Sequence, residues 1–352
     1  MAYIIDIKDY QTAENITHCN MCDQIIYALC NEGFSALENL SLEQSPCMYK
    51  TDDIQKYLLR CILESYTDKH NDYIKPTIRS DGKYDHYNNT FKGDYNLEDF
   101  LVNGDSDILL VNGEAGIGKS TFMKELFLTV SLFSLKNDCH LIPIFFQGED
   151  FGSDDKRPDE WVQNLLSDRY KYLNFEPAYY NPNVSVVFFI DAINDMQYST
   201  YDDFYKKLDM WQNYIETILG RYKNFKVIIS SRYLEYLANF EIRNYTRLFI
   251  QPLDDDQVFA FIDKTSISAK QKKSLRKYIA QNEDMPFLRI PFFLNKLLSF
   301  PFEILHNKTE VINTFINSIF LKKTHFIRER KETYIEFGKK VTDIRLNGTT
   351  FL

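Results

Sequence analysis

The sequence predicts an α/β protein built on a parallel sheet flanked by helices, with one helical region before the sheet and another after it. Three observations lead there. Short apolar runs of four to seven residues recur between longer amphipathic stretches from residue 108 to residue 250, the pattern of strands buried on both faces and joined by helical crossovers. The first run, ILLVN, leads into a glycine-rich loop that opens the helix-period segment STFMKELFLTV. Beyond Pro252 the strand pattern stops, and apolar residues recur at helical spacing.

Bulk properties narrow the function before any motif is read. The 352 residues carry 41 Lys+Arg against 50 Asp+Glu, a net charge of −9, which argues against a general binder of nucleic acid or of anionic membrane. At roughly 150 residues per domain the length fits two to three domains. The start, MAYIIDIKDYQ, carries Asp6, Lys8 and Asp9 and does not read as a secretory leader. The most apolar stretch, from Pro286 to Leu305, is broken by Arg289, Lys296 and two further prolines, so no membrane span is expected. A cytoplasmic location follows. Five of the six cysteines fall in the first 61 residues at irregular spacing, and all read as reduced thiols. The aromatic excess, 28 Phe and 24 Tyr, reads as core packing with part left for a partner.

Taken in order, residues 1–71 form a helical region, with Ile25, Ile26 and Leu29, then Ile54, Tyr57, Leu58, Cys61 and Ile62, at helical spacing. Residues 72–99 are poor in aliphatics and read as an extended connector with turns near Asp81-Gly82 and Lys92-Gly93. Strands are expected over Ile108 to Asn112, Leu141 to Phe146, Val184 to Ile190, Val227 to Ser230 and Arg247 to Ile250. These fall in a domain of residues 100–252. Helices are expected over Asp255 to Lys264, Ala269 to Gln281, Phe292 to Leu298, Thr309 to Lys322 and Tyr334 to Val341, in regions 253–305 and 306–352.

The loop Gly113, Glu114, Ala115, Gly116, Ile117, Gly118, Lys119, Ser120, Thr121 satisfies the G-x4-G-K-[ST] phosphate-loop pattern. Its glycines let backbone N–H groups turn inward around phosphates. Lys119 places a cation on the β- and γ-phosphates, Ser120 offers a hydroxyl to Mg2+, and the following helix points its positive end at the anion. The bland alternative is a glycine-rich turn without a ligand.

The second motif, VVFFIDAINDM, ends a buried strand in an acid. Such an acid needs a cation nearby, so Asp191 is the expected Mg2+ ligand, directly or through water. Asp195, four residues on, is placed to orient or activate water, with Asn194 beside it. The third is KVIISSRY, where Arg232 follows a buried strand and is placed to report on the γ-phosphate, unless it simply caps the strand.

These elements, in this order and spacing, resemble the signal-transduction ATPases with numerous domains (STAND), in particular their NACHT-type nucleotide-binding module, over about residues 72 to 350. The resemblance implies a P-loop NTPase sheet of the ASCE/AAA-like kind, with ATP/ADP and Mg2+ as ligands. It departs at Asn194, where the family often has an acid, and at Asp195, where Glu is usual. The D-A-hydrophobic-N-acid version is similar to the bacterial antiviral branch, which senses phage proteins. The resemblance further implies a weak ATPase used as a switch, self-association on activation and a protein trigger. Residues Tyr73 to Pro76 would reach the adenine from one side, and Pro291 in RIPFFLNKLL would lie against the adenine and ribose, although a proline also starts helices in its own right. Asp254 or Asp255 would cap the first helix after the sheet, and residues 306–352 would begin a winged helix.

The competing function is a nucleic-acid-dependent, AAA-like motor or loader, which needs a basic channel. Two weaker patterns point elsewhere. His18, Cys19, Cys22, Cys30 and Cys47 include one C-x-x-C but no second pair for zinc. Lys322, Lys323, His325, Arg328, Arg330 and Lys331 are interleaved with Glu329 and Glu332 and read as a solvated helix face.

Overall fold

The structure, a computed structural model, describes residues 25–37, 54–66, 74–85, 90–92, 97–102, 107–137, 141–151, 157–169, 185–222, 224–232, 245–282 and 286–298. The chain divides into two compact units, Met1–Gln257 and Val258–Leu352. The expected boundaries at 71 and 99 therefore fall inside the first unit, and the one at 252 lies shortly before the division. The region expected to begin a winged helix, 306–352, lies outside the described residues, as do Lys322 to Lys331.

Among the described residues of the first unit a seven-stranded sheet forms from β1 (Ile78–Asp85), β2 (Thr90–Lys92), β3 (Ile108–Asn112), β4 (Leu141–Gln147), β5 (Ser185–Asp191), β6 (Phe225–Ser231) and β7 (Tyr245–Ile250). The spatial order is β2-β1-β7-β3-β6-β5-β4. The five strands expected from apolar runs are all present and mutually parallel, from β7 through β3, β6 and β5 to β4. All of β3 is buried, and in β5 only Ser185 is partly exposed, as strands covered on both faces require.

The sheet is nevertheless mixed, which corrects the expectation of a purely parallel one. The stretch read as an extended connector supplies β1 and β2, with β1 antiparallel to both β7 and β2. Asp81-Gly82 is not a turn. The register of β1 against β7 shifts between Ser80 and Gly82, a bulge inside one strand at the kind of site where glycine is tolerated. Gly93 lies outside the described residues.

Helices cover both faces. On one lies α4 (Lys119–Asn137), whose Phe127 meets Phe145 of β4 and Phe189 of β5 edge-on at 5.7 and 5.4 Å. On the other, Trp161 of α5 (Pro158–Arg169) and Trp211 of α6 (Tyr201–Arg221) form an aromatic cluster with Phe151 and, through Trp161, with Phe146 of β4. Five of the 28 phenylalanines are used in these contacts.

The N-terminal helices pack on α4. They comprise α1 (25–32), a 3-10 turn at Gly33–Leu37, and α2 (Ile54–Ser65); α3 (Leu97–Val102) precedes β3. Cys30 donates its Sγ–H to the Leu135 carbonyl at 3.7 Å, and the Tyr57 hydroxyl donates to the Pro143 carbonyl at 2.5 Å. Pro143 lacks an N–H and sits on β4, an edge of the sheet, where that loss is tolerated. Because α4 is covered by both the sheet and α2, its buried residues, from Phe122, Met123 and Leu126 to Leu135, surround it rather than form the single stripe of an amphipathic helix.

After the sheet, α7 (Asp255–Asp263) begins at the end of the first unit, and α8 (Ala269–Gln281) and α9 (Pro291–Leu298) lie in the second. Asp254 is the cap: its Oδ1 accepts the Gln257 N–H at 2.8 Å, while Gln257 Oε1 accepts the Asp254 N–H at 3.0 Å. In the second unit Ser268 and Gln271 form the same reciprocal box at the start of α8, and Arg276 pairs with Asp263 and lies over the Phe259 ring. Leu275, Ile279, Leu288, Ile290, Leu294 and Leu297 are buried there.

Candidate nucleotide-binding site

The phosphate loop hangs between a strand paired on both edges and a helix that is covered on two sides. β3 pairs with β6 and β7 along its whole length, ending at Asn112 opposite Ser231 and Phe249. The loop then turns through Gly116 and Gly118, at φ 78° and 101°, values that a side chain makes costly. Buried Ile117 anchors it, while Glu114, Ala115, Gly116, Ser120 and Thr121 are exposed to an incoming ligand. Lys119 opens α4 and is itself buried. Its ammonium donates to the carbonyls of Gly113 at 2.6 Å and Glu114 at 2.8 Å, folding the loop around its own cation. Burial first, and then the nearby Arg232 cation, lower its pKa to about 8 against the opposing pull of Asp195, Asp191 and Glu114. Phosphate oxygens are better acceptors for this cation than the two carbonyls.

The acid strand ends in a braced turn. Asp191 is buried at the end of β5, and its Oδ1 accepts the Ser230 hydroxyl at 2.5 Å. The same Ser230 oxygen accepts the Ala192 N–H at 2.7 Å. Ala192 is left-handed at φ 54° and ψ 51°, a conformation that non-glycine residues adopt at a cost. On its other side Gly148 approaches so closely that a Cβ there would stand 2.2 Å from the Ala192 carbonyl oxygen. From this turn the 3-10 segment Ile193–Asp195 buries Ile193 and presents Asn194 and Asp195 outward.

Arg232 gathers these residues. Its Nη2 lies 2.7 Å from Asp195 Oδ1 and 3.0 Å from Oδ2, and its backbone N–H donates to Asn194 Oδ1 at 3.0 Å. Asn194 Nδ2 donates in turn to Asp195 Oδ1 at 2.7 Å. The three candidate catalytic residues thus form one closed network. With side-chain exposures of 45% and 39% for Arg232 and Asp195, the ion pair is a partly solvated one of roughly 0.2–1 kcal/mol, weak enough for a phosphate to displace.

The donor set fits Mg2+ held jointly with a nucleotide rather than a metal held by protein alone. No cluster of three or more His, Cys, Asp or Glu suited to a metal occurs among the described residues, whereas Asp191 offers Oδ2, which makes no hydrogen bond among them, and Ser120 an exposed hydroxyl. One carboxylate and one hydroxyl, with water and phosphate oxygens, suit this ion.

Sequence reasoning missed Ser230 and Gly148 as members of the site. Ser230 was visible only as the first of two serines before Arg232, and Gly148 only as a glycine following a strand. Pro291 is the first residue of α9 in the second unit, a place that suits proline by itself. Residues 74–77 are extended, with Gln257 Nε2 donating to the Lys75 carbonyl at 2.8 Å and the Thr77 hydroxyl at 3.2 Å; Tyr73 lies outside the described residues. Of the zinc candidates only Cys30 is described, and it forms no disulfide.

No family model matches the chain, and no curated protein does. Solved structures that resemble it include a HORMA:CdnC:Trip13 complex of E. coli MS115-1, at 13% identity and TM-score 0.36 over 59% of this chain and 74% of that one. Another is the ORC2 protein of Aeropyrum pernix in ADPNP-ADP complexes, at 12% and 0.35 over 52% of each chain. A third is the RuvB Holliday junction branch migration motor of Thermotoga maritima, at 14% and 0.31 over 62% of this chain and 66% of that one. Scores this low do not bear on function. The chain's own geometry has the arrangement of a phosphate-loop fold: the loop between β3 and α4, the acid at the end of β5, and β6 between the two strands.

Proposed function

We propose that the chain is an ATP/ADP-binding molecular switch of the STAND kind with a NACHT-type module, a weak ATPase that couples nucleotide exchange to self-association and signalling. The observation that carries this reading is the pairing of Arg232 with Asp195 at the mouth of the phosphate loop. The cation placed to meet a terminal phosphate also holds the carboxylate placed to activate water. A γ-phosphate attracts Arg232 and frees Asp195, whereas ADP leaves the pair closed. Two nucleotides shift a conformational equilibrium only through such a difference in contacts.

In this reading Lys119 exchanges its two loop carbonyls for phosphate oxygens, and the loop N–H groups with the start of α4 face the anion. Asp191 and Ser120 hold Mg2+, which when bound neutralises charge on the phosphates. Asp195 orients water, with a shorter reach than the usual Glu and with Arg232 restraining it, so turnover is slow. The family resemblance adds contacts to the nucleoside from residues 74–76 and, separately, from Pro291. The likeness of the D-A-I-N-D segment to the antiviral branch supports a cytoplasmic role in phage defence with a protein trigger. No helix among the described residues is long and apolar enough to cross a membrane.

The test is to denature the purified protein, identify the released nucleotide by chromatography, and follow ATP turnover with and without DNA. Stoichiometric ADP with turnover far below the roughly 10 s−1 of ordinary enzymes is the expected result. An empty site with fast, DNA-stimulated turnover replaces the switch with the nucleic-acid motor.

A further inference from the structure

The hydroxyl of Ser230 is fully buried at the end of β6, and both of its hydrogen-bonding roles are engaged within the acid turn. Its single proton goes to Asp191 Oδ1 at 2.5 Å, and its oxygen takes the Ala192 N–H at 2.7 Å. The placement follows from register. Ile190 pairs with Ile229, so the next residues, Asp191 and Ser230, stand side by side. Phe189, two residues before Asp191, packs on Phe127 of α4, and strand alternation therefore puts Asp191 and Ser230 on the face of the sheet that carries the phosphate-loop helix. Ser231 faces the other way.

A serine hydroxyl carries one proton and so holds one oxygen of a carboxylate and leaves the other. This one takes Oδ1 and leaves Oδ2 without a hydrogen bond among the described residues. One bond from the end of β6 holds the carboxylate and a second holds the Ala192 N–H beside it, and the close approach of Gly148 to Ala192 braces the turn from the other side. We infer that Ser230 is a positioning residue that aims the free oxygen of Asp191 at the divalent cation of a bound nucleotide, an inference that rests on the nucleotide-switch reading. Groups that orient a metal ligand in this way are typically worth tenfold or more in metal affinity.

The experiment measures binding, not turnover. Binding of the fluorescent nucleotide mant-ATP is followed in EDTA and then across a Mg2+ titration, for the wild type, S230A, S230T and S231A, with melting temperatures recorded for each. In S230A the expected result is a Mg2+ midpoint raised about tenfold, with the EDTA affinity within about twofold of wild type, because Lys119 and the loop are untouched. S230T keeps the donor and returns the midpoint toward wild type, and S231A leaves it in place. A wild-type midpoint in S230A overturns the inference, as does an equal loss of affinity in EDTA and in Mg2+. S230T matching S230A at an unchanged melting temperature overturns it too. Wild-type protein that binds no mant-ATP in either condition sinks the nucleotide reading itself, a result distinct from all of these.

Discussion

Arg232 reaches Asp195 through one nitrogen, Nη2, which lies within 3.0 Å of both carboxylate oxygens. A guanidinium that used its full fork would hold the carboxylate more firmly; this arrangement holds it loosely, beside a loop whose cation is satisfied by backbone carbonyls. Replacing Arg232 by Ala should therefore weaken ATP binding while leaving ADP binding nearly unchanged, as isothermal titration would show. An ATP/ADP affinity ratio equal to that of the wild type would remove Arg232 from the γ-phosphate.

Asp195→Asn keeps the shape of the turn and removes the base. Turnover should fall about 10²- to 10⁴-fold while ATP binding persists, as single-turnover kinetics and titration would show. Unchanged turnover would move water activation to another group.

Lys119→Ala should abolish nucleotide binding, and tight binding retained in that variant would refute the phosphate-loop assignment. The wild-type lysine makes a pH prediction as well. Its pKa in the free protein is about 8, and a bound phosphate raises it, so binding is strongest below pH 8. Above that the loop must take up a proton to bind, and affinity should fall by up to about tenfold per pH unit. In the free protein the folded chain binds fewer protons than the unfolded one between about 8 and the usual lysine value, so this lysine opposes folding at lower pH and less as pH rises. Fluorescence titration of mant-ADP from pH 7 to 9.5 reads the first effect; a flat profile would contradict it.

Gly148→Ala would drive a Cβ against the Ala192 carbonyl oxygen. Since both atoms belong to paired or tightly turned backbone, the expected destabilisation is about 1–3 kcal/mol, seen as a lowered melting temperature. A melting temperature equal to that of wild type would mean the turn is softer than its geometry indicates.

Gln257→Ala removes the side chain that caps α7 and ties it to the carbonyl of Lys75. About 1 kcal/mol of local stability should go with it, and the amides of Asp254, which loses its side-chain acceptor, and Gln251 should exchange faster with deuterium. Unaltered exchange at both would assign the local stability to the β1–β7 ladder alone.

The parallel strands and the loop were legible because each is written in a few adjacent residues: ILLVN is apolar throughout, and the loop needs particular residues at fixed offsets. β1 was not legible, since IRSDGKYD joins the sheet by pairing with β7 more than 160 residues later in the chain, and its Asp-Gly reads locally as a turn. Within the site, Asp191, Asn194, Asp195 and Arg232 carried enough chemistry to be picked out singly. Their mutual contacts did not show, because they depend on the register of β5 on β6. Ser230 and Gly148 belong to the same blind spot: a serine and a glycine acquire meaning only from what stands across from them.

The position of β6 also acts as a ruler. Neighbouring strands lie about 4.8 Å apart, so inserting β6 between β3 and β5 separates the root of the loop from the root of the acid turn by roughly 10 Å. The strand that sets this spacing carries Ser230 near its end and leads directly into Arg232. The spacing of the two turns and the contacts of Ser230 and Arg232 with the acid turn are therefore set by a single piece of backbone, so displacing β6 from between its neighbours would alter both at once.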